Sequence, residues 1–270
     1  MPKSGEKKKP NRYQAIIERV FLNRFTPKTT EFEFTRDEFV STAKTLEVEL
    51  PKNIGDVIYS FRYRNELPDA IRNTAKSGFE WIIEGAGHAQ YRFRQVKFNR
   101  ILPRAELITI KVPDATPEII AAYSLSDEQA LLAKVRYSRL VDVFLGVTAF
   151  SLQNHLRTTV KSVGQIEIDE IYVAIDRHGR QYVIPVQAKG GNDKHGVVQT
   201  QQDILCCAEK FPNLICRAVS AQFMSANRIA MFELAVQKDE VKVVDEKHYQ
   251  LVASTDITPE DLSLYSRRSD

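Results

Sequence analysis

The strongest constraint on the fold is a pair of apolar runs separated by a short polar turn. Residues 165–175 read QIEIDEIYVAI and residues 181–189 read QYVIPVQAK, with His178-Gly179 supplying the turn between them. Runs of this length rich in Ile, Val and Tyr form strands, and so short a connection pairs them as an antiparallel hairpin. Side chains alternate along a strand. Gln165, Glu167 and Asp169 therefore share one face of the first run, and Gln187 and Lys189 share a face of the second. Asp169 and the Gln187/Lys189 pair are expected to meet near one end of the sheet. A carboxylate, an amide oxygen and an ammonium then converge where a domain otherwise needs apolar packing. Gly190-Gly191 follow Lys189 and allow close approach of another backbone.

The surrounding pattern extends this hairpin into a larger α/β unit. Ser126 opens a helix over 127–146, whose Leu132, Val135, Leu140, Val143 and Phe144 mark a buried stripe, and Gly146 ends it. Strands are expected at 149–160, 165–175 and 181–189, a helix at 197–210 and a strand at 214–224. Two further strands are expected at 228–237 and 240–253. The order from residue 128 is thus α-β-β-β-α-β with additional strands. The loop containing Lys194 and His195 precedes the 197–210 helix, where both can contact phosphate, and Gln199 and Gln202 lie within that helix.

The N-terminal part reads differently. Residues 1–10 form a basic flexible tail, and 13–24 carry Ile16, Ile17, Val20 and Phe21 at helical spacing. Thr35 with Glu38 makes a capping box for a second helix. Asn53 opens a third helix and Pro68 a short fourth one. Two alternating runs, 79–84 and 89–98, flank Gly85-Ala86-Gly87-His88 and predict a β-hairpin. Short helices followed by a hairpin make a winged-helix-like pattern over 11–104. Residues 105–127 read as a connector, and 128–270 as the second domain.

Charge is divided between these parts. Residues 1–104 hold 20 Lys/Arg against 13 Asp/Glu, whereas 105–270 hold 18 against 22. Between Gly85 and Ala105 there is no acid, while Arg92, Arg94, Lys97, Arg100 and Arg104 interleave with Tyr91, Phe93 and Phe98. Such a surface suits a phosphate backbone, since each cation neutralised there releases counterions. Inward-packed aromatics and solvated arginines would produce the same alternation, and that alternative stays open.

Other classes are excluded or disfavoured. The chain is 43% hydrophobic and 27% charged, which fits neither a disordered nor a collagen-like protein. No apolar run approaches the ~18 residues of a membrane span, and no secretory signal follows the basic N-terminus, so a cytoplasmic protein is expected. Cys206, Cys207 and Cys216 form no CxxC pair, and a zinc site or disulfide framework is not expected. There is no GxxxxGK[ST], so no nucleotide cofactor is expected.

The run IEIDEIYVAID-RHGRQ-YVIPVQAKGG resembles the active-site hairpin of the PD-(D/E)XK nuclease superfamily, which includes type II restriction endonucleases, Mrr-type enzymes and several repair nucleases. The resemblance matches Asp169 to the metal-binding Asp, Gln187 to the second acid and Lys189 to the catalytic Lys. The Gln-x-Lys form is characteristic of the Mrr-type branch. It implies a restriction-endonuclease-like α-β-β-β-α-β core with a mixed sheet. It also implies a site for Mg²⁺ held by Asp169, Gln187 and a backbone carbonyl near Ala188. Glu167, which shares a face with Asp169, is the favoured assisting acid, with Glu170 and Glu128 as alternatives. The expected activity is Mg²⁺-dependent hydrolysis of double-stranded DNA by a homodimer, with Arg92, Arg94, Lys97, Arg100, Lys194, His195 and Gln199 as DNA contacts. A DNA-binding regulator with a degenerate nuclease domain, or a structure-specific repair nuclease, fits the same pattern.

Overall fold

The computed structural model describes residues 12–63, 65–97, 100–123, 127–161, 163–190, 195–224, 227–238 and 240–266. The 1–10 tail, Phe98, Ser126, Gly191 and Lys194 lie outside the described residues. Contacts divide the chain into two units, Met1–Asn99 with Lys161–Gly164, and Arg100–Val160 with Gln165–Asp270. Each has its own apolar core.

The first unit contains α1 (Gln14–Leu22), β1 (Glu31–Thr35), α2 (Arg36–Thr45), α3 (Ile54–Tyr63), α4 (Asp69–Arg72), β2 (Glu80–Gly87) and β3 (Gln90–Val96). The stripe expected on α1 is the buried one. Thr35 starts α2 through a complete capping box: its hydroxyl accepts from the Glu38 N–H, and the Glu38 carboxylate accepts from the Thr35 N–H. The sequence reading lacked β1. This EFEFT segment pairs antiparallel with β3, giving the sheet order β1-β3-β2. It is too short for a clear periodic signal, and it is held by aromatic contacts from distant sequence. Phe34 lies 5.0 Å from Phe93 and Phe32 lies 5.2 Å from the same ring. Strand β2 runs through Gly87, so the turn falls at His88-Ala89, later than the glycines suggest.

The second unit contains β4 (Arg100–Ile101), β5 (Thr109–Pro113), α5 (Glu118–Tyr123), α6 (Asp127–Tyr137), α7 (Leu140–Leu145), β6 (Thr148–Val160), β7 (Gly164–Ile175), β8 (Gln181–Lys189), β9 (His195–Gly196), α8 (Val197–Lys210), β10 (Ile215–Cys216), β11 (Ala218–Phe223), β12 (Arg228–Gln237), β13 (Glu240–Val252) and α9 (Pro259–Ser266). An eight-stranded mixed sheet runs β5-β13-β12-β11-β8-β7-β6, with β10 beside β8. Strands β7 and β8 are antiparallel, whereas β11 returns parallel to β8 after the α8 crossover. The stretch read as a connector, 105–127, contributes a strand to this sheet: its β5 pairs parallel with β13. The single helix expected over 127–146 is two, broken at Arg139, which takes φ 51°.

Strand β8 is central and buried from Tyr182 through Ala188. Tyr182, Ile184, Val186 and Ala188 enter a core with Leu131, Leu132 and Val135 of α6 and Phe144 of α7. Alternation sends Gln187 and Lys189 to the opposite face, where α8 packs. Among the described residues, no helix is long and apolar enough to cross a membrane.

Candidate active site

The β7–β8 register fixes which polar groups reach the α8 face. Glu170 is opposite Val186 and Ile175 opposite Gln181. Asp176 closes the turn, its carboxylate accepting from the N–H groups of His178 (2.9 Å) and Arg180 (3.0 Å) and from the Tyr182 hydroxyl (2.9 Å). Gly179 takes φ +78°, a conformation favouring glycine. At the other end of the hairpin, Asp169 Oδ2 accepts the Ala188 N–H at 2.8 Å.

Gln187 is fully buried and nearly saturated with hydrogen bonds. Its Nε2 donates to the Glu167 carbonyl (3.2 Å) and to Asp203 Oδ2 (3.0 Å), and its Oε1 accepts from Gln199 Nε2 (2.7 Å). Gln199 and Asp203 stand one turn apart on α8 and so lie on one stripe of the helix. Beside Gln187 on the same sheet face, Ser220 of β11 is opposite Gln187 and Gln222 opposite Lys189. Both are buried. Gln222 donates to the Ile101 carbonyl at 3.1 Å and thereby seats β4.

Lys189 lies among four titratable groups, Asp169, Asp203, His195 and Glu128. Burial raises the Asp169 carboxyl above its ordinary range, while the Lys189 ammonium and the Ala188 N–H pull it back. Burial likewise raises Asp203 well above the usual carboxylate value; its hydrogen bond from Gln187 opposes this, Asp169 adds to it, and Lys189 opposes it again. His195 is pushed down to about 3 by burial, with Lys189 contributing in the same direction. The Glu128 carboxylate stands 4.0 Å from Lys189 Nζ.

The acids and cations named from sequence separate clearly. Glu167 shares the Asp169 face, but its carboxylate pairs with Arg157 at 3.2 Å and His155 at 3.7 Å; its carbonyl is what holds Gln187. Glu170 points to the other face and bonds Arg136 (2.8 Å) and Ser151 (2.6 Å). His195 is not a surface contact. It is 1% exposed, with Nε2 2.5 Å from Thr200 Oγ1, because β9 pairs with β4. Gln199 turns inward to Gln187. Arg92 is engaged by Glu33 (2.9 Å) and Glu84 (3.7 Å), and Arg94 by Glu84 (2.9 Å). Arg104 binds Glu246 at 2.7 Å. Phe93 is buried, so the inward-packing alternative holds at that ring. Lys97 and Arg100 are exposed.

Asp203 is the residue the sequence reading missed. An acid on the buried stripe of α8, four residues after Gln199 and beside Cys206 and Cys207, was the available signal.

Among the described residues, no cluster of three or more His, Cys, Asp or Glu is arranged to hold a metal ion. Mg²⁺ needs fewer protein ligands, because it keeps several waters and binds through one or two carboxylates. Asp169 fits that requirement. Among the described residues its one hydrogen bond is from the Ala188 N–H to Oδ2, and burial raises its carboxyl above the ordinary range. Comparison of the chain with family models, with curated proteins and with solved structures gives no match.

Proposed function

We propose that the chain is a Mg²⁺-dependent DNA endonuclease of the type II restriction kind, its second unit cutting DNA and its first unit binding it. The observation that carries this reading is the convergence of Asp169, Gln187 and Lys189 at one end of the β7–β8 hairpin. The path β6-β7-β8-β11, with helices before β6 and between β8 and β11, agrees with the superfamily core that the sequence resemblance implies. In the first unit, the order α1-β1-α2-α3-α4-β2-β3 with sheet order β1-β3-β2 agrees with a winged helix.

Asp169 and the oxygen of Gln187 would hold the metal, with a backbone carbonyl near Ala188. Bound there, Mg²⁺ would supply charge neutralisation at the scissile phosphate and a more acidic water. Lys189 orients the attacking water and offsets charge that develops on the phosphate oxygens. Glu128 lies close enough to steady the Lys189 ammonium. Lys97 and Arg100 supply exposed positive charge for the DNA backbone. Cutting both strands takes two such sites, so two copies are expected on double-stranded DNA.

A plasmid-nicking assay with Mg²⁺, and with EDTA as control, tests the reading. The wild-type chain should nick or linearise plasmid, and Asp169→Ala and Lys189→Ala should each lose at least ~10²-fold in rate. DNA that is bound but never cut would favour a regulator with a degenerate site, the reading that the neutral Gln187 supports.

A further inference from the structure

Gln187 occupies the position where a second carboxylate would give the site its charge, so what holds its amide decides whether it can serve as a ligand at all. An amide has two N–H donors and two oxygen lone pairs. Both donors are spent, on the Glu167 carbonyl and on Asp203 Oδ2. One lone pair is spent on Gln199 Nε2. A single oxygen lone pair remains.

The orientation of this amide is unambiguous. The Glu167 carbonyl can only accept, so the nitrogen end must face it, and the oxygen end faces the other way. The contact with Asp203 is buried: Asp203 is 2% exposed and Gln187 is fully buried, so an unpaired N–H here has no water to turn to. Asp203 Oδ1 has no hydrogen-bond partner among the described residues, so the Gln187 contact is the one that anchors this carboxyl group.

We propose that Asp203 is the positioning residue for Gln187: through Oδ2 it pins the amide so that one oxygen lone pair stays available to a divalent cation beside Asp169. This rests on the nuclease reading of the site. The Asp203 oxygen accepts and the Gln187 amide donates, so the Gln187–Asp203 pair places the acid on the helix and the amide on the strand. At the helix contact alone, the two chemistries can therefore be exchanged. A Glu at 187 facing Asp203 sets two carboxyl groups against each other, which pair only where one of them holds a proton, whereas a Glu at 187 facing an Asn at 203 restores an amide donor at that contact.

The test is Mn²⁺ uptake by the whole chain, read from the electron paramagnetic resonance of free Mn²⁺ in titrations without DNA, with far-ultraviolet circular dichroism of each variant alongside. Asp203→Ala should weaken Mn²⁺ binding about 10- to 100-fold, the range found when outer-shell partners of metal ligands are lost. Asp203→Asn still offers an oxygen to Gln187 and should lose less than Asp203→Ala. Gln187→Glu should bind poorly or fold poorly, and the double variant Gln187→Glu/Asp203→Asn should bind at least tenfold better than Gln187→Glu alone. Wild-type affinity in Asp203→Ala, or a double variant no better than Gln187→Glu, overturns the proposal. Asp169→Ala separates this result from the underlying reading. If Asp169→Ala removes Mn²⁺ binding and Asp203→Ala does not, only the positioning role fails. A wild-type chain that takes up no Mn²⁺ at millimolar concentration, or an Asp169→Ala variant that binds normally, overturns both.

Discussion

At the scale of single residues, His195 couples the candidate site to acid stability. Its imidazole is buried against Thr200, its Nδ1 has no partner among the described residues, and the Lys189 ammonium lies near it. The folded protein holds it near pKa 3, below the ordinary 6.5, through burial first and Lys189 second. A lowered value means that the fold prefers the neutral ring. The resulting stabilisation is fully present above pH 6.5 and is lost as pH falls from there through about 3. The thermal midpoint should therefore drop across this window, and His195→Gln should flatten the dependence. A melt series in which both proteins show the same slope would refute the assignment. From sequence, His195 reads as a phosphate contact in a polar loop. Its burial depends on pairing with Ile101, some ninety residues away, and no local pattern records that contact.

At the scale of elements, register carries most of the site. Because side chains alternate, slipping β8 by one residue against β7 would send Gln187 and Lys189 into the apolar core and Ala188 toward α8. The Asp176 turn and the Ala188-to-Asp169 hydrogen bond guard the two ends of that register. This is why Asp169, Gln187 and Lys189 were legible: the strands, the turn and the alternation are all local. The same alternation could not say where the arginines of β3 point their charge. Their partners, Glu33 on β1 and Glu84 on β2, belong to neighbouring strands. The pairs are partly exposed and individually weak, yet they leave less charge for phosphate. The slope of log affinity against log salt for DNA should thus change by less than about 0.5 in Arg92→Ala, where a full phosphate contact would contribute about 0.9. Glu84→Gln should raise affinity in the same titration. A slope that falls by a full contact in Arg92→Ala would return that residue to the DNA surface.

For the molecule as a whole, the two cores make separable claims on stability. The first gathers Ile16, Phe21, Phe39, Ile58 and Trp81, and the second gathers Leu131, Ile184, Val219 and Met231. The chain's single tryptophan belongs to the first core, is 4% exposed and donates to Thr74 Oγ1 at 2.9 Å, so its fluorescence reports that unit alone. Removing the Thr35 cap with Thr35→Ala should cost about 1 kcal/mol and lower the urea midpoint seen by Trp81. Truncating the fully buried Met231 to Ala should cost about 2–5 kcal/mol through lost burial and the cavity left behind. Its effect should fall on the far-ultraviolet dichroism, which both units contribute to, and leave the Trp81 midpoint in place. Such divergence between probes marks unfolding that is not two-state. A Trp81 midpoint that moves with Met231→Ala would instead make the chain one cooperative unit, so that damage to the eight-stranded sheet would also unfold the part proposed to bind DNA.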